Sequence, residues 1–362
     1  MSELEKSEGS VLDGEGFYRK VADVLVEARR RAASAVNLSM VYAYFEIGRM
    51  IVEEQQRGKS RAEYGKQILQ GLSAYLTERF GKGFSVANLT LMRKFFLTYA
   101  SDEISETLFP KSSALPAVST GRRFFLSWSH YLKLMRIGNV EERHFYEIEA
   151  ARNNWSLAEF NRQFDSALYE RLVLSGDKEK ARALAEKGQV IASAKDAIKD
   201  PYVLEFLGLP EQTVYSERDL ETRIIDHLQE FLLELGRGFA FMDRQARFTY
   251  GEDHFFVDLV FYNRLLRCFV LFDLKLSKLT HQDIGQMQMY VNYYDRHMRL
   301  PDENPTVGIL LCKRSDQALV ELTLPEDAHI YAAEYRLYLP DKKLLQTKLA
   351  EWLEEEGADD GE

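Results

Sequence analysis

Between Gly16 and about Tyr99 the apolar residues recur at intervals of three and four, as at Val41, Tyr44, Phe45 and Gly48, which is the helical period. The pattern predicts a mainly helical first half. A helix over about Glu63–Arg79 runs into Phe80-Gly-Lys-Gly-Phe84. Ser85 is then placed to cap a second helix, Val86–Tyr99, by accepting a hydrogen bond from its first-turn amides. Two helices across a short glycine-rich turn give a helix-turn-helix outline. From Ala100 to Thr120 the periodicity stops, and five serines with two prolines predict a mobile loop. Helical spacing resumes over Trp128–Ile137 and Glu141–Asn153, and Ser156 with Glu159 makes a capping box for a helix reaching about Val173.

The pattern changes after a charged, alanine-rich stretch near Lys178–Asp200, where Asp200-Pro201 is a helix stop and the domain boundary is placed. Ser216 and Asp219 form another capping box. Its helix carries Glu221, Ile225, Leu228, Leu232 and Leu235 along one line before Gly236 ends it. Three segments rich in Phe, Val and Tyr follow as strands, Phe239–Tyr250, Phe255–Tyr262 and Cys268–Leu276. Then come a helix at about Gln282–His297, a strand Thr306–Cys312, another near His329–Leu337 and a closing helix. The order αβββαβ predicts an α/β (α+β mixed-sheet) domain, and no repeat of fixed period is present.

The chain has 362 residues, about two domains' worth, and 46% hydrophobic and 12% aromatic content excludes a wholly disordered or collagen-like chain. Cys268 and Cys312 allow one disulfide at most and lack C-x-x-C spacing, which excludes a zinc ribbon or a disulfide scaffold and fits a reducing cytoplasm. Both sit in apolar strands and read as core residues. The seven histidines show no metal-ligand spacing. The opening MSELEKSEGS lacks the order of a signal peptide, and no apolar run approaches the ~20 residues that span a bilayer, so no membrane role is expected.

The net charge of −10 argues against a polyanionic partner, but its distribution reverses the picture. Residues 1–200 hold 30 bases and 27 acids, whereas 201–362 hold 17 and 30. Arg57–Lys94 carries 8 bases against Glu63 and Glu78, and Glu351–Glu362 carries seven acids and no base. The first is either a solvated helical face or a surface for nucleic acid, with Asn88, Arg93 and Lys94 as candidate contacts on the second helix.

The strand Cys268-Phe-Val-Leu-Phe-Asp-Leu-Lys-Leu276 is apolar almost throughout yet contains Asp273 and Lys275, which share one face roughly 6–7 Å apart. Asp258 is the same oddity in the preceding strand. A four-residue hairpin loop over Arg264–Arg267 sets Asn263 opposite Cys268 and so Asp258 opposite Asp273, with Cβ atoms ~5 Å apart. Like charges at that distance repel unless a cation lies between them. Hard carboxylate oxygens suit Mg²⁺, or Mn²⁺, with Asp258, Asp273 and the main-chain carbonyl of Leu274 as ligands. Lys275 would orient a bound water or stabilise the transition state, and the chemistry is phosphodiester hydrolysis. The plain alternative is a buried ion-pair network.

The spacing Asp258…Asp273-Leu274-Lys275 resembles the PD-(D/E)XK nuclease signature. Further matching segments are Asp200-Pro-Tyr-Val-Leu-Glu-Phe-Leu-Gly-Leu209, Phe231–Phe241 with Arg244-Gln245, and Gly285-Gln286 followed by Tyr290. Together they resemble the bacterial YhcG-like nuclease-domain family. Tyr64-Gly65, Phe80–Ser85 and Leu126-Ser-Trp-Ser-His-Tyr131 are similar to that family's helical N-terminal domain, so the likeness covers nearly the whole chain. Two departures are Val257, where the signature has proline, and Asp273, where these relatives carry Glu.

The resemblance implies a restriction-endonuclease-like core after a helical domain for which a winged-helix-like form is one option. It also implies Glu221 as an extra acid and metal ligand and Gln286 as a further site residue. Glu221 on an otherwise apolar helical line points the same way, although a surface glutamate near a helix start is the plain reading. Gln286 and Tyr290 could equally cap or pack their helix. The expected layout is a disordered 1–15, a helical nucleic-acid-binding-like domain 16–177, a linker 178–200, a nuclease domain 201–350 and an acidic tail 351–362. The expected function is a metal-dependent DNA endonuclease in repair, recombination or defence. Partners would be DNA, further copies of the chain and restriction-system proteins. The rival is a catalytically inactive nucleic-acid-binding or assembly protein that keeps the fold.

Overall fold

In a computed structural model of the chain, the described residues are 5–57, 62–100, 123–174, 178–191, 193–199, 201–209, 215–314, 317–325 and 328–359. They fall into two compact units that divide between Arg152 and Asn153. Apart from Ala100, the loop expected over 100–120 lies outside the described residues.

The first unit consists of α1 (Glu5–Arg57), α2 (Ala62–Phe80), α3 (Val86–Tyr99), α4 (Trp128–Leu134) and α5 (Val140–Arg152). α1 is helical from Glu5, so most of the stretch expected to be disordered extends a helix that is already nucleated downstream, with acids in its first turn. α2 and α3 meet across a turn in which Gly81 and Gly83 take positive φ, and Ser85 Oγ accepts from Asn88 N as the capping pattern requires. No strand precedes Tyr202 among the described residues, so no wing is found there. Packing is aromatic: the rings of Phe45, Phe95, Tyr99, Phe124 and Tyr131 are buried and meet mostly edge-on at 4.9–6.4 Å. Trp128 packs on Phe95 at 5.2 Å. α1 reaches α3 closely at Gly48, where a Cβ would stand 2.1 Å from the carbonyl oxygen of Met92.

The second unit is a six-stranded sheet with helices on both faces. The strands are β1 (Tyr202–Val203), β2 (Phe239–Tyr250), β3 (Asp253–Asn263), β4 (Cys268–Lys278), β5 (Val307–Arg314) and β6 (Ile330–Arg336), in the order β1-β6-β5-β4-β3-β2. β2, β3 and β4 run antiparallel, and β4, β5, β6 and β1 are parallel. Two helices, α10 (Glu217–Asp226) and α11 (Leu228–Leu235), cover one face, where Leu220, Ile224 and Phe231 pack on Leu259, Phe261, Phe272 and Leu274. On the other, Ile284, Met287, Tyr290 and Val291 of α12 (His281–His297) pack on Val257, Val260, Leu271 and Leu310. The single helix expected after Ser216 is broken at His227 (φ −115°, ψ 37°), which lets α10 and α11 follow the twisted sheet.

Three further differences lie between residues 153 and 199. The helix expected to reach Val173 breaks at Ala167, whose φ is 52°, giving α6 (Leu157–Asp165) and α7 (Leu168–Leu174). Much of the expected linker 178–200 is helical, in α8 (Lys178–Lys187) and α9 (Ala194–Ala197), and Ala197 joins the core. Both α6 and α7 belong to the second unit because buried charge ties them there. Glu234 of α11, wholly buried, accepts from Arg171 of α7 at 2.8 Å, Arg162 of α6 at 3.3 Å and the β1 amide of Val203 at 3.0 Å. Burial pushes this carboxyl up, but Arg171, Lys199 and Arg162 outweigh it and hold it at about 2. The compact units divide between Arg152 and Asn153, earlier in the chain than the change of sequence character near 178–200. The helix α13 (Gln317–Thr323) precedes β6. α14 (Lys342–Asp359) carries the backbone of the acidic tail as helix to Asp359, and 360–362 lie outside the described residues.

Two outcomes follow from this packing. Glu234→Ala leaves Arg171 buried and uncompensated and is expected to cost about 3–5 kcal/mol in urea unfolding of the second unit. A loss below 1 kcal/mol would contradict the network's role. In Gly48→Ala the gain of about 1 kcal/mol in helix preference is overridden by the collision with Met92, so the first unit's melting temperature should fall.

Candidate active site

The acids gather where the β-ladder fails. β2 and β3 pair at Arg244↔Leu259 and Ala246↔Val257, which sets Gln245 opposite Asp258 without a regular pair between them. Gln245 has a φ of 47°, in the left-handed region. At the same level β3 reverses its faces. Val257 packs toward α12, whereas Leu259, two residues on, packs toward α10 and α11. Strict alternation would put both on one side.

β3 and β4 pair from Asn263↔Cys268 to Leu259↔Phe272, the register expected from the sequence, and stop one step before Asp258 and Asp273. Regular pairing is replaced there by a side chain: Asp258 Oδ2 accepts from the Leu274 amide at 2.8 Å. The expected direct opposition of the two acids is corrected to this offset arrangement. Asp258 is freed from the pleat and turned toward β4.

Four expected site residues come together around this break. Asp273 is 2% exposed, and its Oδ2 lies 2.8 Å from Lys275 Nζ. That ammonium is the charge partner of this buried oxygen and stands at hydrogen-bonding distance from it. Burial, with the Asp258 charge beside it, pushes Asp273 up to about 7, against the opposing pull of Lys275. Lys275 is lowered by burial but raised overall by Asp273, with Asp283 of α12 a further 3.8 Å contact. Glu221 of α10 is 4% exposed, so the surface reading of this glutamate is set aside. Its carboxyl is raised by burial and by Asp258, while Gln245 and Arg244 oppose the shift.

Gln245 joins the two layers: its Nε2 donates to Glu221 Oε2 at 2.6 Å and to Asp258 Oδ1 at 2.9 Å. Gln286, on α12, donates to the Tyr290 hydroxyl. Tyr290 is pushed up to about 12 by burial and by the Asp273 and Asp258 charges, which puts the pair within electrostatic reach of the acids. The contacts Asn88, Arg93 and Lys94 lie on α3 of the first unit. Asn88 Nδ2 is spent on the Gly83 carbonyl, Arg93 reaches Gln55 of α1, and Lys94 is exposed.

Gln245 was not singled out as a site residue on the strength of the sequence, although a signal exists. Gly251-Glu252 is a two-residue turn between Tyr250 and Asp253, and counting back from it places Gln245 opposite Asp258. Glu217, which accepts from the Leu276 amide at 3.3 Å, and Asp283 carried no such signal.

The donor set fits a hard divalent cation. Glu221, Asp258, Asp273 and the Leu274 carbonyl offer only oxygen, and the repulsion of Asp273 by Asp258, which Lys275 offsets only in part, is the kind of charge a cation compensates. Among the described residues no three acids, histidines or cysteines are already converged as a cage. The acids are instead held by an amide and an ammonium. Cys268 and Cys312 are both buried free thiols, with Cys268 pushed up to about 11 by burial, which leaves no ready nucleophile in either. No helix among the described residues is long and apolar enough to cross a membrane.

Comparison with known proteins gives matches to family profiles, to a relative and to solved structures. The family profile described as the YhcG PDDEXK nuclease domain matches residues 195–350, and the DUF1016 N-terminal domain matches 20–171. The chain is 38% identical over 362 residues to "Putative nuclease YhcG" of Escherichia coli (strain K12), covering 95% of each. Among solved structures, a repair endonuclease from Pyrococcus abyssi is 19% identical over 36% of this chain and 50% of its own, with a TM-score of 0.24. A structure of an EndoMS–dsDNA2 complex is 17% identical over 36% and 48%, with a TM-score of 0.23. The chain thus spans about half the length of each of these two structures.

The carboxyl shifts set a pH dependence. Asp273 binds its proton more tightly folded than unfolded, so its stabilising contribution is complete below the ordinary 3.8 and is lost as pH rises through about 7. Glu221 acts in the same direction. In EDTA, the wild-type chain is expected to lose stability relative to Asp273→Asn as pH rises across that window, measured by thermal unfolding. Parallel curves would show that Asp273 does not titrate there.

Proposed function

The chain belongs to the YhcG family, with a DUF1016 N-terminal domain ahead of a YhcG PDDEXK nuclease domain, and on that footing we propose that it is a divalent-cation-dependent DNA endonuclease. The observation that carries this reading is the gathering of Glu221, Asp258 and Asp273 about the single ammonium of Lys275, which leaves Asp273 pushed up to about 7 by burial and by the Asp258 charge. A structural ion pair would be expected to hold its carboxyl below the ordinary value rather than above it.

Asp258, Asp273, Glu221 and the Leu274 carbonyl would hold Mg²⁺ or Mn²⁺. Such a cation supplies a water of lowered pKa and neutralises charge on the scissile phosphate. Lys275, half-buried and charged, would donate to a phosphate oxygen or fix the attacking water, and Asp283 limits its swing. Gln286, oriented by Tyr290, would supply a neutral donor from the α12 side. The amide of Leu274 holds Asp258 in its turned position, so this strand contributes both a ligand carbonyl and the donor that aims a ligand acid.

DNA as the substrate is supported by the helix-turn-helix of the first unit. There Arg79, Lys82 and Lys94 are exposed together with Tyr75 and Phe80, which combines phosphate-binding charge with stacking surface. Self-association through further copies of the chain and a role in repair, recombination or defence belong to the same proposal.

The test is incubation with supercoiled, linear, single-stranded and branched DNA plus Mg²⁺ or Mn²⁺. Wild type is expected to cleave at least one substrate and EDTA to stop it. Asp273→Ala and Lys275→Ala are each expected to lose about 10²-fold or more in rate while still folding. Binding to every substrate with no metal-dependent cleavage would overturn the proposal in favour of a non-enzymatic nucleic-acid-binding protein.

A further inference from the structure

Gln245 makes contacts that neither a passive strand residue nor a standing cation ligand would make. Its carboxamide nitrogen has two hydrogens and donates to two carboxylates, Glu221 at 2.6 Å and Asp258 at 2.9 Å. Those acids arrive from different layers, α10 and β3, and repel one another. The amide brings donors but no net charge, so it relieves the repulsion only in part. Its backbone is also held at a φ of 47°, a conformation unfavourable to a residue with a Cβ that persists only where its surroundings enforce it. The residue is nevertheless exposed, so its side chain has an open route into solvent.

We infer that the Gln245 carboxamide is a place-holder for the divalent cation, clasping Glu221 and Asp258 in the cation-free chain and swinging out when a cation takes both carboxylates. This rests on the reading of those acids as cation ligands. In that exchange two charge-assisted hydrogen bonds break, the neutral donors return to water, and the strain at residue 245 becomes free to relax. The clasp therefore lowers the apparent cation affinity of a site whose ligands it keeps assembled. Arg244, with Nε 3.8 Å from Glu221, and Arg218 both pull on that acid, and Arg244 remains available to it whichever way Gln245 points.

The deciding experiment is calorimetric titration of Mn²⁺ into the full chain as wild type, Gln245→Met and Gln245→Gly. The methionine keeps the length of the side chain without its donors. Glycine removes the amide and suits the left-handed backbone, so it is the variant least prone to misfold. Each variant is expected to bind Mn²⁺ about tenfold more tightly than wild type, because the competing hydrogen bonds to charged acceptors are gone. Its melting temperature without cation should fall, and the rise on adding Mn²⁺ should exceed that of wild type. Equal or weaker binding by both variants, with wild type still binding, would overturn the place-holder and leave the cation site standing. Failure of wild type to bind Mn²⁺ would overturn both.

Discussion

Repulsion among carboxylates gathered at one break in a β-ladder is the constraint around which the second unit is organised. Asp258 and Asp273 come from adjacent strands and Glu221 from the helix above them, and the burial of Glu221 and Asp273 disfavours their charged forms. Nearly every donor within reach is turned against that repulsion: Lys275 on Asp273, the Leu274 amide on Asp258, and Gln245 on Asp258 and Glu221. The compensation is incomplete, as the raised Asp273 carboxyl records.

Glu234 shows what complete compensation looks like in the same unit. It is buried as deeply as Asp273, yet two arginines, a lysine and a backbone amide hold it fully ionised. Its bonds run to α6, α7 and β1 and fasten the outer helices to the sheet. One buried acid is fully compensated and serves architecture, and the other is compensated only in part and stands in the proposed site. This contrast separates the roles more sharply than burial, which the two residues share.

Much of this was legible in the sequence because local chemistry dictated it. Ser85, Ser156 and Ser216 cap the helices their spacing announces, and the apolar runs of β2, β3 and β4 stand within a few residues of their expected limits. Asp258, Asp273, Lys275 and Glu221 were visible as charges in places that ought to be apolar. What sequence could not supply were features made by distant partners. The attachment of α6 and α7 and the two-residue strand β1 depend on contacts 30 or more residues away, such as Arg171 with the Pro201 carbonyl. The reversal of faces at Asp258 was hidden for a different reason, since a period-two reading of Val257 and Leu259 assigns them one side and only three-dimensional packing separates them.

The irregularity at Gln245 also matters on the far side of its strand. β2 is the outermost strand of the sheet, and its free rim would offer another molecule a long template for hydrogen bonding. The register slip after Phe241 and the left-handed turn at Gln245 break that rim into shorter lengths. The kink that turns Gln245 toward the acids therefore also interrupts the outward border along which a neighbouring strand could pair.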